Sequence, residues 1–112
     1  MKKKIVYIAH PIGGDVEGNL NKIQEIYLAI SRNHPDVIPF CPYLATVMSL
    51  DDSVPNDREL GMEHNKVFFE RGIIEELWWF NRISSGVGKE LGWCDEFEIP
   101  YSAKVLRGGV IL

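Results

Sequence analysis

Glu90 is the side chain whose type and position most directly indicate chemistry. It stands in the first turn of a predicted helix, where about 100° of rotation per residue places it between Cys94 and Phe97 on the apolar side. Because burying an unpaired carboxylate costs free energy, we expect Glu90 to face a pocket or a partner. The N–H groups of the helix start favour its ionised form, which could attack a glycosidic carbon. The alternative is that Glu90 only caps its own helix.

The turn before Glu90 offers an anion site. Ser84, Ser85 and Gly86 supply two hydroxyls and backbone N–H groups at a helix start, and such groups suit a phosphate. The alternative is a strand-to-helix turn with serine caps and no ligand.

A second loop with glycines follows the first predicted strand. His10 and Pro11 leave that strand, and Gly13 and Gly14 would let the backbone approach a ligand closely. The loop lacks the full GxGxxG fingerprint, so a dinucleotide site is only weakly indicated. A tight connection between strand and helix, with nothing bound, is the alternative.

Two further polar side chains, Tyr7 and His64, lie in predicted elements. Tyr7 is in the first strand, where a tyrosine is usually a core residue. His64 shares a helix face with Leu60 and Phe68, which is more typical of a core or interface histidine, and we keep it as a candidate catalytic residue. The same helix is apolar on both sides, which indicates packing between a sheet and a partner chain.

Hydrophobic runs and turn residues predict an α/β fold. Strands alternate with helices, which favours a mainly parallel sheet of four to five strands with right-handed crossovers. In the order 2-1-3-4, with any fifth strand at the end, both glycine loops meet at the switch in strand order, where such sheets bind ligands. The predicted strands are at 5–9, 37–40, 73–80 and 99–105. The first helix is capped by Asp15 or Asn19 and ends near residue 33, and the others are at 57–71 and 87–98. Residues 41–56 are loosely ordered, and residues 108–112 form a partial fifth strand or an apolar tail.

Composition bounds the class of protein. The chain has 112 residues, 46% of them hydrophobic, which fits one domain over residues 1–112 with a packed core. A formal net charge of −4 argues against a nucleic-acid partner. The sequence holds no run of about 18 apolar residues and no secretory signal, so we expect no membrane span.

The cysteines and histidines indicate no metal site. Cys41 and Cys94 have no zinc-binding spacing and are interpreted as reduced thiols of a cytoplasmic protein. His10, His34 and His64 are too scattered for a metal motif. We therefore expect neither a metal nor another cofactor.

Two motifs resemble the nucleoside 2-deoxyribosyltransferase superfamily, which includes the 2'-deoxynucleoside 5'-monophosphate N-glycosidases and small uncharacterised bacterial and phage proteins. Residues 84–92, SSGVGKELG, are very similar to the family's S-x-G-x-x-x-E-(L/I)-G. Residues 6–11, with Gly13 and Gly14, are similar to its first strand and loop. The likeness covers roughly residues 4–105.

The resemblance implies a three-layer α/β/α flavodoxin-like, or Rossmann-like, fold and a homodimer or homotetramer. It implies that the chain cleaves or transfers the N-glycosidic bond of a (deoxy)nucleoside 5'-monophosphate. Glu90 then matches the nucleophile that forms a covalent glycosyl intermediate.

The resemblance also assigns binding residues. Ser84 and Gly86 match positions that hold the 5'-phosphate in the monophosphate-specific members. Tyr7, His10 and Gly13 match the first loop, which lines the sugar and the phosphate.

One position departs from the family pattern. The family's Asp before the third strand falls, by spacing, on Val67. His64 is one turn earlier, and Glu63 or Asn65 would replace the Asp after a shift in register. The alternative function is therefore a module that binds a nucleotide or nucleotide-sugar without catalysis.

Overall fold

The computed structural model describes residues 2–51 and 53–112, which form one parallel four-stranded sheet, a separate two-stranded hairpin and helices on both faces of the sheet. The sheet order β2-β1-β3-β4 confirms the predicted flavodoxin-like α/β fold. The strands are β1 (Lys4–Ala9), β2 (Val37–Phe40), β3 (Glu76–Trp79), β4 (Tyr101–Ala103), β5 (Leu106–Arg107) and β6 (Val110–Ile111). The helices are α1 (Val16–Asn33), α2 (Tyr43–Ser49), α3 (Pro55–Glu70) and α4 (Ser85–Phe97).

Strand β1 is the centre of the core. Its residues show no apolar–polar alternation because both of its faces are covered, as expected of a strand inside a parallel sheet. Val6 and Ile8 face a cluster that includes Ile26 and Ile30 of α1, whereas Tyr7 and Ala9 face the side covered by α3 and α4. The site described below lies on the Tyr7 side.

Helix α2 corrects the prediction that residues 41–56 are loosely ordered. The Tyr43 side chain is buried, and its hydroxyl donates a hydrogen bond of 2.5 Å to the Ile8 carbonyl oxygen. Leu44 and Val47 pack against the same core cluster. The helix has seven residues and depends on these tertiary contacts, since so short a helix is not stable by itself.

The C-terminal residues form a hairpin and do not extend the parallel sheet. Strand β5 pairs antiparallel with β6, and the two residues between them, Gly108 and Gly109, have φ angles of 60° and 77°. Two positive φ angles suit a tight hairpin turn, which reverses the chain before it can pair with β4. In the described residues the parallel sheet therefore has four strands, and the expected fifth strand pairs elsewhere.

Residues 2–51 and 53–112 contain neither a helix that could span a membrane nor a cluster of metal-binding side chains. Within these ranges no helix is long and apolar enough to cross a membrane. The same ranges hold no group of three His, Cys, Asp or Glu residues placed to bind a metal ion. Cys41 and Cys94 are free thiols.

Phe69 connects α3 to both β1 and α4, and it provides a test of this packing. Its ring is fully buried, 4.9 Å from the Tyr7 ring and 5.2 Å from the Trp93 ring between centroids. We expect Phe69→Ala to lower the free energy of unfolding by about 3–5 kcal/mol, because it leaves a cavity. Val67→Ala on the same helix should change it by less than about 0.5 kcal/mol, since Val67 is exposed. Urea denaturation measures both, and equal losses would contradict this orientation of α3.

Candidate active site

A cavity of about 710 Å³ opens where β1 and β3 end. Its wall includes the loop after β1, residues of α2 and α3, and the turn that leads from β3 into α4. The position is the one expected for a ligand in a doubly wound sheet, at the carboxyl ends of neighbouring strands. The volume lies in the usual range for small-molecule sites.

The Glu90 carboxylate lies in the wall of this cavity and is 8% exposed. The Tyr7 hydroxyl donates a hydrogen bond to Glu90 Oε2. The Asn65 amide Nδ2 donates to the Tyr7 hydroxyl oxygen at 2.7 Å and to Glu90 Oε2 at 3.3 Å. Glu90 is therefore held by side chains from β1 and α3. Ser84 caps the N-terminus of the helix that carries Glu90, because its Oγ accepts a hydrogen bond from the Val87 N–H at 3.2 Å.

The acidity of Glu90 is set by a competition between burial and hydrogen bonds. Burial raises the pKa of Glu90 from its ordinary value of 4.5 to about 7, although the hydrogen bonds from Tyr7 and Asn65 act in the opposite direction. Burial and the nearby Glu90 charge raise the pKa of Tyr7 well above its ordinary value, so Tyr7 stays protonated as a donor. A carboxyl group with a pKa near neutrality is common at catalytic sites.

His10 is buried in the cavity wall in a defined tautomer. Its Nδ1–H donates to the Pro11 carbonyl oxygen at 2.7 Å, which leaves Nε2 as the acceptor. Burial lowers the pKa of His10, the bond to Pro11 opposes this, and the charges of Lys22 and Arg82 lower it further. His10 is thus neutral at pH 7 and can accept a hydrogen bond from a ligand.

Some residues of the loop after β1 line the cavity, and others only shape the loop. Gly13 lines the cavity, and a Cβ atom there would meet no atom within 4 Å. Pro11 is buried, and Gly14 has a φ of 92°, a conformation that favours glycine. Neither Pro11 nor Gly14 is among the described residues of the cavity wall, so their role is to shape the loop.

The turn between β3 and α4 brings the predicted anion site to the cavity. Ser84, Ser85 and Gly86 all line it, at the N-terminus of α4. Arg82 and Lys89, which flank this turn, line the same cavity. Both cations stand beside the turn in the sequence and could have been recognised there.

A basic side chain of α3, Arg58, also lines the cavity. This residue is far from the turn in the sequence, and no motif marks it. Three basic side chains, Arg58, Arg82 and Lys89, thus line the cavity into which the N-terminus of α4 opens, and together they favour an anionic ligand.

The structure does not bring His64 to the cavity. His64 is exposed on α3, and Val67, where spacing placed the family's Asp, is 42% exposed. Asn65 lies between them on the buried face of α3 together with Phe69, one turn later. Because α3 has apolar residues on both sides, the sequence did not show that the face with Asn65 and Phe69 turns inward.

The chain matches a protein-family model described as a domain of unknown function, DUF7768, over residues 4–104. The chain belongs to this family. A search of curated proteins gave no match. Because the DUF7768 description assigns no activity, the resemblance to nucleoside 2-deoxyribosyltransferases stays a prediction, and the chemistry has to be argued from the site.

The raised pKa of Glu90 predicts a dependence of stability on pH. The folded chain keeps the Glu90 proton up to about pH 7, whereas the unfolded chain loses it near 4.5. The stability that this proton gives the folded state is fully present below pH 4.5, where both states are protonated. The free energy of unfolding then falls as pH rises from 4.5 through about 7. Glu90→Gln keeps a neutral side chain, so it should be more stable than wild type at pH 8, by roughly 3 kcal/mol.

Urea denaturation at pH 4.5 and pH 8 measures this difference, which should vanish at the lower pH. Glu96→Gln, an exposed position on the same helix, is the control and should show no such pattern. A constant difference between Glu90→Gln and wild type at both pH values would exclude a buried proton on Glu90.

Proposed function

We propose that this protein cleaves or transfers the N-glycosidic bond of a (deoxy)nucleoside 5'-monophosphate through a covalent glycosyl intermediate on Glu90. The observation that carries the proposal is the buried Glu90 carboxylate, held by Tyr7 and Asn65 in the wall of a cavity that also contains the N-terminus of α4. The resemblance of residues 84–92 to the deoxyribosyltransferase motif supports the same assignment.

In the first step the ionised Glu90 carboxylate attacks the sugar C1' atom. A C1'–O bond forms as the C1'–N bond breaks, and the base leaves with the bonding electron pair and takes up a proton from solvent water. The hydrogen bonds from Tyr7 and Asn65 fix the direction of the carboxylate before the substrate binds. Glu90 needs no other residue to take its proton, because a pKa of about 7 leaves part of the carboxyl group ionised at neutral pH.

In the second step water or another base attacks C1' from the opposite face. The ester bond to Glu90 breaks and the carboxylate is restored, which gives either the free sugar phosphate or a new nucleotide. Neutral His10 lines the same cavity and can accept a hydrogen bond from the attacking group.

The phosphate is assigned to the N-terminus of α4. Ser84, Ser85 and Gly86 offer hydroxyl and N–H donors there, and Arg82 and Lys89 add positive charge at the same end of the cavity. Holding the phosphate at a distance from Glu90 would orient C1' for attack, so that binding energy contributes to the rate.

A second candidate function is nucleotide binding without catalysis. It is favoured by the amide of Asn65 next to Glu90, because an amide cannot transfer a proton to a departing base as a carboxylic acid can. The cavity, its cations and its helix N-terminus serve this function equally well.

Incubation with a panel of ribo- and deoxyribonucleoside 5'-monophosphates tests the proposed reaction, with free base followed by chromatography. We expect base release from at least one nucleotide, and we expect Glu90→Gln to lower it at least about 1000-fold, since the nucleophile is lost. Glu96→Gln on the same helix should keep wild-type activity.

The alternatives separate clearly in this experiment. Full activity of Glu90→Gln would overturn the mechanism. No base release from any nucleotide, together with a rise in melting temperature on nucleotide binding, would establish the binding module instead.

The dependence of activity on pH provides a separate test of the hydrogen bond from Tyr7. Activity requires ionised Glu90, so kcat/KM should rise with pH through about 7. Tyr7→Phe removes a hydrogen bond that lowers the pKa of Glu90, and the rise should therefore move to higher pH. An unchanged or lower midpoint in Tyr7→Phe would contradict this role of the hydroxyl.

A homodimer or homotetramer in the cytoplasm stays a prediction. Helix α3 supports assembly, because Leu60 and Val67 are each more than 40% exposed on its outer side while Asn65 and Phe69 face inward.

A further inference from the structure

Asn65 carries a polar atom that the network around Glu90 does not use. The side chain is 8% exposed, and its Oδ1 atom is buried without a hydrogen-bond partner in residues 2–51 and 53–112. Leaving a buried carbonyl oxygen unpaired costs free energy, and a ligand that supplies a donor would recover this cost. We call Asn65 Oδ1 the open acceptor.

The orientation of the Asn65 amide follows from its neighbours. An ionised carboxylate accepts hydrogen bonds and donates none, so Glu90 requires the N–H side of the amide. The Tyr7 hydroxyl already donates to Glu90, and it can therefore only accept from the same amide. Both contacts hold Nδ2 toward Glu90 and leave the carbonyl side for another donor.

Asn65 belongs to the wall of the cavity. Its Nδ2 lies 3.3 Å from the Glu90 oxygen, so the open acceptor is in the same amide group as an atom that contacts the nucleophile. Less than 1 Å² of the open acceptor is accessible in the unliganded chain, so a donor near the carbon that Glu90 attacks pairs with it only when neighbouring side chains shift to uncover it.

Stereochemistry identifies the donor. Displacement at C1' places the nucleophile on the face of the sugar opposite the departing base. In an ordinary β-nucleoside the ribose 2'-hydroxyl projects from that same face, on the carbon next to C1'. The base lies on the far side, and 2'-deoxyribose has no donor at this position.

We infer that Asn65 is a specificity-determining residue and that the substrate sugar is ribose, whose 2'-hydroxyl donates to the open acceptor. This inference rests on the proposed function, because it takes Glu90 as the group that faces C1'. Asn65 then has two roles in one amide, since Nδ2 positions Glu90 and Oδ1 selects the sugar.

Binding of two sugar phosphates tests the inference without requiring turnover. Calorimetric titration of wild-type protein with D-ribose 5-phosphate and with 2-deoxy-D-ribose 5-phosphate at pH 8 gives a ratio of Kd values. We expect ribose 5-phosphate to bind roughly 10- to 100-fold more tightly, the range for one hydrogen bond to a buried unpaired acceptor. Equal Kd values, tighter binding of the deoxy sugar, or no binding of either would overturn the inference.

Two variants of nearly the same shape separate selection from a structural role. Asn65→Leu removes the acceptor, and the ratio of Kd values should fall to about one, whereas Asn65→Asp keeps an oxygen there and should retain a preference for ribose. A residue with a merely structural role would weaken both sugars equally in both variants, and that result would overturn the inference. Thermal melting checks that each variant folds, and the wild-type ratio decides the matter if neither does.

The base-release panel distinguishes this inference from the proposed function. Equal base release from ribo- and deoxyribonucleotides would overturn the sugar preference and leave the glycosidic chemistry in place. A clear preference for ribose 5-phosphate with no base release from any nucleotide would support the preference and replace the enzyme with the binding module.

Discussion

Burial of the Glu90 carboxylate is the constraint on which the site depends. The cost of removing this group from water exceeds what the hydrogen bonds from Tyr7 and Asn65 recover, and the pKa of Glu90 rises to about 7 as a result. The folded state is therefore less stable at alkaline pH than it would be with an amide at this position. Such a cost is typical of residues retained for function, since stability alone would favour a neutral side chain.

The sheet order explains how Tyr7 and Asn65, which are distant from Glu90 in the sequence, meet at its carboxylate. Strand β1 supplies Tyr7 from the centre of the sheet, and β3 beside it leads into α4, which carries Glu90. Helix α3 precedes β3, and its Phe69 packs against Tyr7 of β1 and Trp93 of α4. This packing places Asn65 next to both Tyr7 and Glu90. Because the parallel strands all end on one edge, the turn before α4 opens into the same cavity.

The cavity combines two chemically different features. Its wall contains the buried Glu90 carboxylate with Asn65 beside it, and it also contains the N-terminus of α4 and the basic residues Arg58, Arg82 and Lys89. A ligand with both an anionic group and a neutral reactive carbon would match these two features, and a sugar phosphate has both.

Much of the fold could be predicted from the sequence because its signals are local. Apolar runs and turn residues predicted β1 to β4 in order, and the caps of α1 and α4 were recognisable as Asp15 and Ser84. Helix α2 was missed, because its seven residues are held by Tyr43 and its neighbours against the core and have no strong pattern of their own.

The sequence by itself determined the succession of strands and helices along the chain, the glycine loops and the prominence of Glu90, since each follows from a local pattern. Only the tertiary structure decided that Asn65, and not His64, contacts Glu90. Adjacent helix residues differ by about 100° in direction, and a helix with apolar residues on both sides does not reveal which face turns inward. The tertiary structure also decided the pKa of Glu90, because β1 and α3, which bury its carboxylate, are far from Glu90 in the sequence.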